Sequence, residues 1–153
     1  FPNETIDFSR GEIRSGVAKK TWNRSISLER DLYNLLVLKF GEVFVHAQKP
    51  FDNYRGRVDF FIYCKNYKFG IDIFFADNFH SLVGCVNTKQ KIYKNVNFDV
   101  IFLSSNPAIK QESIDQFLKN KSNELRYNIK VLDLESFRVF LNKLEAITFD
   151  TIS

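Results

Sequence analysis

Between Ser27 and Gly41 the apolar residues Leu28, Leu32, Leu35, Leu36 and Phe40 recur at helical spacing. Ser27 is a suitable N-cap and Gly41 a suitable stop, so the pattern predicts a helix over this stretch. Three segments rich in Val, Ile and Phe follow, at 42–47, 57–64 and 68–76, with Pro50, Asn53, Gly56 and Asn66 as turn residues between them. They read as a meander of strands. Helical spacing returns over 81–94, and 99–103 is a short continuous apolar run of the kind found in strands buried on both faces. That order implies a crossover to a parallel strand. Pro107 then opens a helix carrying Ile109, Ile114, Phe117 and Leu118, followed by a strand at 129–134 and a helix with Phe137, Phe140, Leu141 and Leu144. An α/β sandwich around one mixed sheet accommodates the series.

Composition narrows the class. The 153 residues, 44% hydrophobic and 26% charged, suit one domain and exclude disordered or low-complexity chains. The 17 Phe supply bulky core material. Apolar runs such as 35–38 and 100–103 are far shorter than the ~20 residues of a membrane span, so no membrane contact is expected. No basic-then-apolar leader is visible, and Cys64 and Cys85 each lie in a hydrophobic pattern, which points to reduced thiols and a cytoplasmic address. Met is absent, even at position 1, as expected of a piece of a longer chain.

The net charge of +4 is modest for a polyanion binder, but its distribution is uneven. Arg10, Arg14, Lys19, Lys20 and Arg24 make residues 1–26 a basic arm ahead of an α/β domain at 27–153. Arg55, Arg57, Lys65 and Lys68 form a second cluster, and Lys89, Lys91 and Lys94 a third. Such clusters suit phosphate contacts, and equally suit a solvated surface.

The meander holds two acids where strand propensity argues against them. Alternation puts Asp59 with Phe61 and Tyr63 on one face of the second segment, and Asp72 with Lys68, Gly70 and Phe74 on one face of the third. Unpaired carboxylates are costly in a buried strand, so each needs a cation, either an ion shared between them or a structural partner such as Arg57 or Lys68. Two carboxylates from neighbouring strands suit Mg²⁺ or Mn²⁺, which keep water and substrate phosphate as further ligands. On a wheel with Leu82 at zero, Lys89 falls at about −20°, inside the apolar stripe, and Gln90 at about 80°. Lys89 is therefore expected to point at the sheet, with Gln90 as a polar support, unless the lysine snorkels to water. His46 and His80 are isolated, and no phosphate loop, nucleophile elbow or dinucleotide fingerprint occurs.

In this order and spacing, Glu29 in the first helix, Asp59 in Arg57-Val58-Asp59-Phe60, Asp72 in Gly70-Ile71-Asp72-Ile73-Phe74, and Lys89-Gln90 in the next helix resemble the PD-(D/E)xK nuclease superfamily. The resemblance spans about residues 27–103. It implies a restriction-endonuclease-like three-layer sandwich and a metal-dependent DNA endonuclease. Asp59 and Asp72 would hold Mg²⁺, with Lys89, Glu29 and Gln90 completing the catalytic set and the basic residues binding DNA. Two-strand cutting would favour a homodimer. One departure stands out: Phe74 occupies the position of the family's motif lysine. Lys89 is the natural replacement and Lys68 the second. If neither reaches the acids, the alternative is an inactive nuclease-fold module for DNA binding or protein assembly, or a structural domain whose acids sit in salt bridges. An acid in a helix's first turn is also favoured by the macrodipole, which gives Glu29 a second explanation.

Overall fold

A computed structural model describes residues 16–48, 57–120 and 125–148, with α1 side chains described from Ser27 onward. Helix α1 (Gly16–Phe40) leads through a 3-10 turn at Glu42–Phe44 into strand β1 (Val45–Ala47). Strands β2 (Phe60–Cys64) and β3 (Tyr67–Phe74), helix α2 (Phe79–Lys89) and a 3-10 turn at Gln90–Tyr93 follow. The remainder is β4 (Asp99–Ser104), α3 (Gln111–Asn120), β5 (Ile129–Leu132) and α4 (Leu134–Asn142). The strands form one sheet in chain order, antiparallel from β1 to β3 and parallel from β3 to β5.

Two cores make this a three-layer α/β sandwich. Leu32, Leu36 and Phe40 of α1 and Phe137 and Leu141 of α4 pack on the face carrying Phe60, Ile62, Ile71 and Ile101. Leu82 and Val86 of α2 and Ile114 of α3 pack on the opposite face, with Phe61, Phe74, Val100 and Phe102. Strands β3 and β4 read as near-continuous apolar runs because both of their faces are covered.

Local chemistry sets the element ends. Cys64 pairs with Tyr67, so the hairpin turn is Lys65-Asn66, and Asn66 takes the left-handed conformation (φ 61°) that its short polar side chain tolerates. Asn78 caps α2 by accepting from Ser81 N–H at 2.9 Å, and Asp133 caps α4 by accepting from Ser136 N–H at 2.7 Å. Helix α1 begins at Gly16, so Ser27 is interior rather than a cap, and Lys19, Lys20 and Arg24 belong to the helix. The apolar pattern at 28–40 marks the part of α1 that packs on the sheet, and a periodicity argument sees that part alone.

Gly70 allows the β2 entry to cross β3 closely. A Cβ there would lie 2.7 Å from Val58 Cγ1, with Phe98 behind it. Gly70→Ala is expected to cost about 1–3 kcal/mol from overpacking, read as a lower urea midpoint at unchanged m; an unshifted midpoint would show that Val58 gives way freely.

Candidate active site

The two aspartates meet where β2 begins. Phe60 pairs with Ile71, and one further step of that register sets Asp59 opposite Asp72. Asp59 is not in the strand; it occupies a bend immediately before it. The bend breaks the expected alternation. Val58 packs with Phe61 in the α2 core, while Phe60 and Ile62 face α1. Side chains then replace main-chain ladder bonds: Asp72 Oδ1 accepts from Asp59 N–H at 3.1 Å, and Asp59 Oδ2 accepts from Ile73 N–H at 2.8 Å. Gln48, just past β1, donates from Nε2 to Asp59 Oδ1 at 3.4 Å.

Asp72 is 2% exposed. Its Oδ2 accepts from the Tyr93 hydroxyl and lies 3.8 Å from Lys89 Nζ. Lys89 thus reaches the sheet with its side chain still 42% exposed, combining the inward aim read from the wheel with the snorkelling alternative. Phe74, at the family's lysine position, is buried with its ring 4.7 Å from that of Phe102. That position points into the α2 core.

Electrostatics follow from burial. Desolvation, helped by the Asp72 charge, pushes the Asp59 carboxyl up to about 7, against the opposing effects of the Ile73 N–H and Lys89. Desolvation also raises Asp72, although Tyr93, Lys89 and the Asp59 N–H all favour its charged form. Tyr93 is pushed above the usual phenol range by burial and by Asp72, so it remains a donor. Glu29 is half-buried in the interior of α1, not in its first turn, so the macrodipole does not account for it. Burial raises its carboxyl, and its charge adds to that around Asp59.

Other expected participants lie elsewhere. Gln90 is buried and turned away, accepting from Arg126 N–H at 3.0 Å and so tying the α2 end to the approach to β5. Lys68 is exposed at the start of β3, about 13 Å along the strand from Asp72, too distant to stand in for the motif lysine. Arg57 is exposed, and its carbonyl accepts from the Tyr93 hydroxyl at 3.4 Å. Arg10, Arg14 and Arg55 lie outside the described residues, as do the side chains of Lys19, Lys20 and Arg24. Tyr93 and Gln48 are the contributors that sequence reasoning missed. Tyr93 does sit in the apolar stripe of the wheel, where a buried hydroxyl demands a partner.

Among the described residues, no group of three or more His, Cys, Asp or Glu side chains is placed to hold a metal ion, and no helix is long and apolar enough to cross a membrane. The donor chemistry nonetheless suits Mg²⁺: two desolvated, like-charged carboxylates present only oxygen, and a cation between them would relieve the repulsion that raises Asp59. No family model, curated protein or solved structure matches the chain.

Proposed function

We propose that this domain is a metal-dependent nuclease that hydrolyses phosphodiester bonds in DNA, built on a restriction-endonuclease-like sandwich. The observation that carries the reading is the cross-strand Asp59/Asp72 pair with the Lys89 ammonium 3.8 Å from Asp72 Oδ2. Asp59 and Asp72 would hold Mg²⁺ through their carboxylate oxygens, with Glu29 adding negative charge from α1. When bound, Mg²⁺ supplies Lewis-acid stabilisation of the phosphate and a more acidic water. Lys89, partly in solvent and anchored on Asp72, orients the attacking water and stabilises charge developing on the phosphate oxygens. Tyr93 holds Asp72 in place from the core side.

A second reading has its own support. All four carboxylate oxygens already accept contacts from within the chain, from Ile73 N–H, Asp59 N–H, Gln48 and Tyr93. A module that keeps the aspartates as structural braces, and serves DNA binding or assembly, would look the same there. Supercoiled plasmid with Mg²⁺ separates the two. We expect nicking that EDTA stops and that Lys89→Met slows by roughly 10²-fold, a typical loss for one positioned catalytic donor, with Mn²⁺ affinity little changed. Intact plasmid and intact single-stranded DNA after incubation with Mg²⁺ or Mn²⁺ would leave the brace reading in possession.

A further inference from the structure

A groove of about 720 Å³ lies between the end of β3 and helix α2, and it shares Lys89 with the carboxylate site. Its lining includes Phe74 and Phe75 from the strand, and Gly84, Cys85, Thr88 and Lys89 from the helix. Its volume lies within the ~300–1,000 Å³ of small-molecule sites. Lys89 belongs to both places: it lines the groove, and its Nζ contacts Asp72. Gly84 is the unexpected member. Glycine weakens a helix interior, and packing does not require it here, because an added Cβ would meet nothing within 4 Å. What the missing side chain does is keep the groove open.

Resting on the nuclease reading, we infer that this groove receives an unpaired nucleotide next to the scissile phosphate, so that the substrate is single-stranded or frayed nucleic acid rather than continuous duplex. A largely apolar cleft suits the face of a base, the Thr88 hydroxyl offers a polar contact, and Lys89 offers a cation for the adjoining phosphate. Within a duplex a base is stacked on both faces and paired along its edge, leaving no free surface for such a cleft. An unpaired base has one.

Cys85 reports occupancy directly, because it is exposed in the groove while Cys64 is buried. Iodoacetamide labelling of the full chain would be followed in Ca²⁺, with a single-stranded oligonucleotide or the same sequence as a blunt duplex. The single strand is expected to slow Cys85 labelling about tenfold, and Gly84→Phe to weaken its binding by a similar factor, as for loss of one base contact. The duplex should give no protection. Mn²⁺ affinity of Gly84→Phe, read at the carboxylates away from the groove, should match that of the parent and shows that the variant is folded. Unaltered labelling with excess single strand, or equal protection by duplex, overturns the inference. Protection without Mg²⁺-dependent cleavage keeps the groove and rejects hydrolysis; cleavage without protection does the reverse.

Discussion

Asp59→Asn is expected to abolish cleavage while making the protein more stable at pH 8. The amide keeps an oxygen to accept from Ile73 N–H, so the bond that fastens β2 to β3 survives. What disappears is a charge that burial and Asp72 both disfavour. Cleavage behaves oppositely, since a metal site reduced to one carboxylate forfeits several kcal/mol of transition-state stabilisation, about 10³-fold or more in rate. Asp72→Ala should lose on both counts. It strands the Asp59 N–H and takes a partner from the Tyr93 hydroxyl, which belongs to a fully buried side chain. The unsatisfied Asp59 N–H costs about 1–3 kcal/mol, and the Tyr93 hydroxyl exchanges its carboxylate acceptor for the longer contact with the Arg57 carbonyl at 3.4 Å. Thermal melts and plasmid nicking on the same preparations test the contrast. Asp59→Asn melting below the parent at pH 8 would mean that the carboxylate braces the fold through its charge, against the nuclease assignment.

The second large effect is a pH dependence that a divalent cation reverses. Because the folded Asp59 carboxyl is raised from 3.8 to about 7, the folded state retains a proton that the unfolded chain has already released over that interval. Stability therefore falls as pH climbs from about 4 to about 7 and levels off above, with a total on the order of 4 kcal/mol. Asp72 shifts in the same direction and reinforces the trend. Divalent cations bind the ionised pair, so their affinity should rise over the same range and offset the loss. Melting temperatures from pH 5 to 8 in EDTA should decline, should flatten in Mn²⁺, and should decline less steeply in EDTA for Asp59→Asn, where Asp72 still titrates. A parent protein whose melting point in EDTA rises across the interval would contradict the raised carboxyl.

These two expectations share one cause. The sheet places like charges opposite each other at a strand entry where side chains supply the hydrogen bonds to β3, and the protein accepts the resulting instability. Functional sites commonly hold such unfavourable arrangements. An acid of this kind is visible in a sequence as a break in an apolar strand, which is how Asp59 and Asp72 stood out. The compensating groups are less visible. Tyr93 looks like any core aromatic on a helical wheel, and Gln48 lies in a turn with no periodic signal.

The order and kind of the elements were legible from the chain alone, although α1 begins at Gly16 and Asp59 lies outside β2. The mixed sheet and its flanking helices were too, because periods of 2 and 3.6 express which side of a strand or helix meets water, and that is a local property. Lys89 belongs with these, since its place in the apolar stripe of α2 was enough to aim it at the sheet. Tertiary structure alone decided the rest. The bend at Asp59 moves Val58 to the opposite core, Gln90 turns to the Arg126 amide, and Lys68 lies at the far end of β3. Each depends on contacts between segments distant in the chain, where crowding at Gly70 and the demand of buried polar groups for partners outweigh local preference.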